Sequence, residues 1–180
     1  DLGSSNGTYV NGEAIVPGLA LQEGDKITLG KLTILRFSHN DAVDEQFQKQ
    51  LYDAALRDGL TQAYNKRFLL ERLAIEFSYA QRHSTSLAIL VIDADHFKKV
   101  NDEHTHQAGD AVLVHLVTVM QSMIRREDLL ARFGGEEFVI LGRNINSEHA
   151  RAFGERLRRA IEETTFSFHG RRIPITISIG

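Results

Sequence analysis

Apolar positions change their period twice along this chain. Up to residue 37 they fall in short alternating runs broken by glycine: Gly7-Thr8-Tyr9-Val10, a turn at Asn11-Gly12, then Ile27-Thr28-Leu29-Gly30 and Leu32-Thr33-Ile34-Leu35. Alternation with Asn-Gly and Glu-Gly-Asp turns predicts a small antiparallel sheet. From 38 to 58 the spacing turns helical, with Val43, Phe47, Leu51 and Ala54/Ala55 recurring among Asp, Glu, Gln and Lys. A helix this short is marginal alone, so it needs a partner: its own copy in a dimer, or the domain beside it. Beyond residue 58, helical and extended patterns alternate. Leu69, Leu73, Phe77 and Ala80 predict a helix, and Leu87-Ala88-Ile89-Leu90-Val91-Ile92 a strand buried on both faces. Val112, Leu116, Val119, Met120, Met123 and Ile124 mark one face of a second helix. Leu129–Phe133 and Phe138–Leu141 flank Gly134-Gly135 and predict a hairpin. A helix opening near Ser147, itself an N-cap type, turns Ala150, Phe153, Leu157 and Ile161 inward. Last, Ile173, Ile175, Ile177 and Ile179 alternate with Thr176 and Ser178 as a half-buried strand.

The order helix, strand, helix, hairpin, helix, strand predicts an α+β fold, a ferredoxin-like palm with helices on one face. A partial β-sandwich segment precedes it. The expected divisions are 1–37, a linker helix at 38–58, and 59–180. Composition narrows this little: 180 residues, 42% hydrophobic and 25% charged, suit one globular domain and part of another. A net charge of −3 argues against a general nucleic-acid binder. The absence of cysteine excludes a disulfide framework or a thiolate zinc site, and favours a reducing, cytoplasmic setting. No apolar run is long enough for a membrane span, and no signal peptide precedes the first strand. A chain starting at Asp1 and stopping within a strand-like run is expected to be part of something longer.

Candidate chemistry gathers at two stretches. In Phe133-Gly134-Gly135-Glu136-Glu137-Phe138 the glutamates have no packing reason to occupy a hairpin tip. Carboxylates beside a backbone stripped of side chains suit a magnesium-nucleotide site, where a bulky anion must come close. The buried strand ends in Asp93-Ala94-Asp95-His96-Phe97-Lys98-Lys99-Val100-Asn101-Asp102. In a palm this strand end lies beside the hairpin tip, so Asp93 and Glu136 can share Mg2+ (or Mn2+). Such a cation bridges triphosphate oxygens as an α-phosphate is attacked. Backbone N–H groups around Phe97-Lys98 can hold the distal phosphates. Asn101 and Asp110 offer an amide and a carboxylate suited to the edge of guanine. Plainer roles stand beside these. Asp95 pairs with a nearby lysine in preference to a metal, Asp110 caps a helix opening at Ala111, and Lys98 is a solvated charge. His96, His104 and His115 fit no metal-ligand spacing.

Taken together, Asp58-Gly59-Leu60-Thr61 with Asn65-Lys66-Arg67, the Asp93 to Asp110 segment, and Gly134 to Phe138 resemble the GGDEF family, the diguanylate cyclases, over residues 58–180. That resemblance implies a nucleotidyl-cyclase-like palm that condenses two GTP into cyclic di-GMP as a homodimer. It implies Asp93, the Ala94 carbonyl and Glu136 as magnesium ligands, and Glu137 in the catalytic step as base or second-metal ligand. It puts Asn101 and Asp110 at guanine and His106 at the ribose. Arg125 and Asp128 form Arg-x-x-Asp, similar to the family's inhibitory product site, with Arg156 as a supporting arginine from the neighbouring protomer. The plainer reading of that pair is a helix-end ion pair. Two departures stand out: His104-Thr105 precede His106 where the family carries aromatic-Gly, and the family continues past Gly180 into a helix with basic residues. Asp1 to Gly12, followed by Gly24-Asp25 and Leu29-Gly30, resembles the C-terminal half of a fork-head-associated (FHA) domain, a β-sandwich that binds phosphothreonine peptides. Ser5 and Asn6 match its peptide-contact loop, while the arginine that meets phosphate belongs to the absent upstream half. Rival readings are a cyclic di-GMP receptor without turnover, a phosphopeptide-linked scaffold, and a palm of another nucleotidyl cyclase class.

Overall fold

The computed structural model describes residues 4, 6–16, 18–30, 33–38 and 42–180, with 42–45 and 48 as backbone only. Leu2, Ser5 and Leu32, and the side chain of Val43, lie outside the described residues. The chain forms two compact units, Asp1–Leu51 and Tyr52–Gly180.

In the first unit β1 (Thr8–Val10), β2 (Glu13–Ala14), β3 (Lys26–Leu29) and β4 (Thr33–Arg36) make a sheet of order β2-β1-β3-β4. Each neighbouring pair is antiparallel. The Asn11-Gly12 turn has φ of 51° and 91°, which is why Asn-Gly stands there. The Asn11 side chain also donates to Asp25 Oδ1 at 2.8 Å and accepts from the Lys26 N–H at 3.0 Å, tying two turns together. Helix α1 (Ala42–Leu56) follows, with Phe47 and Leu51 exposed.

The second unit runs β5 (Tyr64–Asn65), α2 (Lys66–His83), β6 (Leu87–Ala94), α3 (Phe97–Glu103), α4 (His106–Met123), β7 (Leu129–Gly134), β8 (Glu137–Arg143) and α5 (Ser147–Glu163). It closes with β9 (Ser167–Phe168) paired to β10 (Arg171–Arg172), then β11 (Ile177–Ile179). The main sheet has the order β11-β6-β8-β7-β5, antiparallel except for β5 alongside β7.

Strand alternation divides the apolar residues between two cores. Leu90, Ile92, Leu130, Phe138 and Ile140 face α4 and α5, meeting Leu113, Leu116, Met120, Leu157 and Ile161. Leu129, Ala131, Val139 and Leu141 point the other way and pack on Leu69 of α2. Helices therefore cover both faces, not one. Burial on this scale, at about 25 cal/mol per Å² of apolar surface, dominates the stability of such a layered fold.

Three local expectations change. Strand β6 is buried on one face only, since Ile89 and Val91 are 48% and 50% exposed. Helix α2 packs chiefly on β7 and β5 and leaves that part of the sheet uncovered among the described residues. Phe77 is exposed, because the phase of α2 turns Glu76 inward instead. Glu76 meets Arg143 at the end of β8 and Arg72 one turn earlier on α2. Hydrogen bonding from Arg143 holds its carboxyl below the ordinary range, against the opposing effect of burial. Finally, the N-cap of α5 is Asn146, one residue before Ser147, its side chain accepting from the His149 N–H at 2.9 Å.

Candidate functional site

The β6–β8 ladder runs in register from Leu87↔Arg143 to Asp93↔Glu137. Just past it, the Ala94 N–H donates to the Glu136 carbonyl at 3.3 Å. Six predicted site residues therefore meet at one corner: Asp93, Ala94, Gly134, Gly135, Glu136 and Glu137. Directly opposed residues on an antiparallel pair share a face, so Asp93 and Glu137 set two exposed carboxylates side by side. Like charges so placed repel, and among the described residues Asp93, Glu136 and Glu137 have no side-chain partner. An acidic corner without a side-chain partner among the described residues, beside the Ala94 backbone, fits a hard divalent cation, which is commonly held by one or two carboxylates plus substrate phosphates. The described residues hold no cluster of three or more His, Cys, Asp or Glu able to cage a metal by themselves.

What shapes the tip is a residue that sequence reading passed over. Gly135 has φ 48° and, with Glu136, makes the two-residue turn, while the ladder shifts register between Arg132 and Gly134. Arg132 Nε and Nη2 both donate to the Gly135 carbonyl, at 2.9 and 2.7 Å. Its Nη1 donates to Asp58 Oδ1 at 3.0 Å, and the same oxygen accepts from the Thr61 N–H and hydroxyl at 2.9 and 2.7 Å. Partial burial pushes the Asp58 carboxyl up, but the bonds from Thr61 and Arg132 outweigh it and leave the carboxyl below its ordinary value. The 58–61 segment thus buttresses the hairpin through one guanidinium.

Asp95 pairs with no lysine among the described residues. Its oxygens accept from Ser178 and Thr176 hydroxyls at 2.6 and 2.7 Å, which lower its carboxyl and pin β11 to the end of β6. Phe97 and Lys98 open α3, with Phe97 buried and Lys98 exposed. Helix α4 begins at His106, five residues before the expected start at Ala111, because Thr105 caps it by accepting from the Ala108 N–H at 3.2 Å. Asp110 therefore sits inside the helix and is no cap. Beside it, Gly109 is buried, and a Cβ there would lie 3.0 Å from Asn101 Cγ and 3.1 Å from Phe97 Cζ. The bare backbone at Gly109 leaves room for the Asn101 and Phe97 side chains of α3 against α4. The signal was legible: a glycine set inside a helical run, immediately before an acid. His106 is exposed on the first turn of α4, while His115 stacks on Phe166, where burial pushes its imidazole down.

A second corner lies at the turn from α4 to β7. Asp128 Oδ2 accepts from the Arg125 N–H at 3.0 Å, and the Asp128 N–H donates to the Arg125 carbonyl at 3.1 Å. The aspartate thus closes the turn through backbone, so the pair is not a helix-end ion pair, and the Arg125 guanidinium stays exposed. Asp128 Oδ1 is buried with no partner among the described residues. Arg125, Asp128 and Arg156 of the same chain line one cavity of about 390 Å³. That is room enough for a nucleotide-sized ligand.

Residues 55–180 match the family model described as "Diguanylate cyclase, GGDEF domain", and residues 1–30 match that of the FHA domain. Among similar curated proteins is the probable diguanylate cyclase DgcT of Escherichia coli K12, 41% identical over 128 residues, covering 70% of this chain and 28% of that protein. The diguanylate cyclase DgcP of Pseudomonas aeruginosa is 41% identical over 138 residues, covering 77% of this chain and 20% of its own length. The chain thus spans about a quarter of the length of these relatives. Among solved structures, diguanylate cyclase SiaD of Pseudomonas aeruginosa, in complex with its activator SiaC, superposes with a TM-score of 0.69 at 36% identity, covering 77% of this chain and 53% of SiaD. The coiled coil and GGDEF domain of DgcB from Caulobacter crescentus, in complex with c-di-GMP, gives 0.71 at 25% identity, covering 76% and 73%. A palm of this topology, with the signature at its hairpin and the family model matched across most of its length, means that the chain belongs to the GGDEF family.

Proposed function

We propose that the second unit is a diguanylate cyclase domain, which condenses two GTP into cyclic di-GMP with release of pyrophosphate. The observation that carries this reading is the Asp93–Glu137 opposition, with Glu136 beside it, at a strand end where no cation among the described residues neutralises them. Asp93, the Ala94 carbonyl and Glu136 are the groups to hold Mg2+ (or Mn2+), which when bound supplies charge neutralisation on the triphosphate. Gly134 and Gly135 give the α-phosphate an approach free of side chains. Asn101 and Asp110 take the guanine edge, and His106 the ribose. Backbone at Phe97 and Lys98 faces the distal phosphates.

Glu137 takes the proton of the attacking 3′-hydroxyl. The new O3′–phosphorus bond forms as the bond between the α-phosphorus and its bridging oxygen breaks, and pyrophosphate leaves. A product with two-fold symmetry suits a two-fold homodimer, each protomer holding one GTP and the step occurring twice. The cavity of Arg125, Asp128 and Arg156 then takes cyclic di-GMP as an inhibitor, because guanidinium forks grip phosphate and guanine edges while carboxylate accepts from the base. GTP as substrate places the reaction in the cytoplasm, and a complete FHA domain would add a phosphothreonine protein as partner.

The test is incubation of the protein with Mg-GTP, with chromatography for cyclic di-GMP and an assay for pyrophosphate. Glu136→Gln should remove nearly all turnover. A protein that binds cyclic di-GMP but releases no pyrophosphate is a receptor, and the cyclase reading fails.

A further inference from the structure

Two Asn-Gly steps occur in the chain, Asn6-Gly7 and Asn11-Gly12, and both lie in the first unit. At such a step the backbone nitrogen can attack the preceding side-chain amide, because glycine carries no side chain to shield it. Both asparagines are exposed, so access to water does not separate them. Hydrogen bonding does. The Asn11 amide is held at both ends: Nδ2 donates to Asp25 Oδ1 at 2.8 Å, and Oδ1 accepts from the Lys26 N–H at 3.0 Å. The Asn11 N–H donates to the Lys26 carbonyl at 2.9 Å, so backbone and side chain are fixed together. The Asn6 side chain has no hydrogen-bond partner among the described residues. The Gly7 N–H reaches the Ser4 carbonyl only at 3.3 Å, beyond the usual length for such a bond. Nor does the fold favour another residue after Asn6: φ at Gly7 is 72°, and a Cβ there would lie 3.1 Å from the Tyr9 ring. The reactive step is built into the turn, and its amide is left unrestrained.

We propose that Asn6 is a site of spontaneous deamidation in the folded protein, while Asp25 and Lys26 protect Asn11 from the same reaction. The Gly7 nitrogen gives up its proton and bonds to the side-chain carbonyl carbon of Asn6. The bond from that carbon to the amide nitrogen breaks, and ammonia leaves with the proton. Water then opens the cyclic imide at either carbonyl, leaving aspartate or isoaspartate at position 6. A neutral amide becomes a carboxylate, and the iso form lengthens the backbone by one carbon. The change falls beside the Gly7 carbonyl, which accepts from the Gly30 N–H at 3.3 Å where β1 meets β3. It therefore adds a negative charge to this turn and loosens that end of the sheet.

Peptide mapping by mass spectrometry, after timed incubation of the full chain in mildly alkaline buffer, tests this. Folded protein should convert Asn6 about tenfold faster than Asn11, the ratio expected when freeing Asn11 breaks a hydrogen bond to a charged group. In denaturant neither side chain is held, and the two rates should converge. Asp25→Ala should speed conversion of Asn11 and leave that of Asn6 unchanged. Should that variant unfold the sheet, circular dichroism reveals it, and the folded and denatured parent decide between them. Equal rates in the folded parent, or an Asn6 that survives folded while the denatured chain loses it, would overturn the inference. An Asn11 that stays slow in folded Asp25→Ala would overturn its protection by Asp25.

Discussion

The hairpin corner and the turn that opens β7 each combine arginine with aspartate, to opposite ends. At the hairpin, Arg132 is bonded within the protein at all three of its nitrogens: the guanidinium bonds the Gly135 carbonyl twice and Asp58 once. At the turn, Asp128 bonds only the Arg125 backbone, and the Arg125 guanidinium is left facing a cavity. A side chain whose donors are consumed inside the protein is structural, and one whose donors face open space is available to a ligand. The carboxylates divide in the same way. Asp58, Glu76 and Asp95 are bonded and held below their ordinary pKa, whereas Asp93, Glu136 and Glu137 have no partner among the described residues. This contrast separates framework from chemistry and gives each group a different expected response to mutation.

The largest effect should come from the unpartnered acids. Glu137→Gln should slow product formation by about a hundredfold to a thousandfold, the usual consequence of removing one charged group from a reacting centre. It should leave the melting temperature unchanged or slightly raised, because it removes the repulsion with Asp93. Pyrophosphate release and a thermal melt on the same sample measure both. A melt lowered by many degrees would make Glu137 part of the framework and break the contrast.

Arg132→Met should do the reverse. It leaves the Gly135 carbonyl and Asp58 short of donors at a partly buried position, at a cost of about 2–3 kcal/mol. Chemical denaturation reads that loss directly. Turnover should fall as well, since the tip that carries Glu136 is no longer held.

How this framework could be read from sequence depends on range. The apolar runs that mark β6, β7 and β8 and the 3.6 period that marks α4 and α5 are local, and Gly134-Gly135 between two such runs announces its own turn. The acidic corner needed only the topology of a palm, which the order of elements supplies. The strut from Arg132 to Asp58 joins residues 74 positions apart, and nothing local to either one announces the other. Glu76 is hidden for the same reason: a charge in a helix reads as exposed until an arginine from β8 arrives to meet it. Ile89 and Val91 fail in the other direction, because an unbroken apolar run cannot say which of its faces is covered. Gly109 lies between these cases, visible as an oddity in a helix but explained only once α3 packs on α4.

Asp58 sharpens the contrast through pH. Its folded-state pKa is depressed, so its contribution to stability is fully present above the ordinary value of 3.8 and lost as pH falls through the folded-state value. Asp58→Asn should therefore be less stable than the parent at neutral pH, with the gap closing as pH falls below 3.8. Denaturation series between pH 3 and pH 7 follow the gap, and a constant offset would mean that the Arg132 bond does not depend on the charge of Asp58.

The smallest effect is the most diagnostic. Arg125→Ala removes the same side chain type as Arg132→Met, in the same unit and also beside an aspartate. The bond to Asp128 comes from the Arg125 N–H, which alanine retains, so the turn should survive intact. An exposed guanidinium without a partner among the described residues predicts a stability change within about 0.5 kcal/mol. Parallel denaturation curves of the two variants make the comparison, and cyclic di-GMP calorimetry of the Arg125 variant completes it. A loss of binding with no loss of stability is what a ligand-facing arginine requires. A large stability loss would mean that the guanidinium supports the turn, and the division between the two corners would no longer hold.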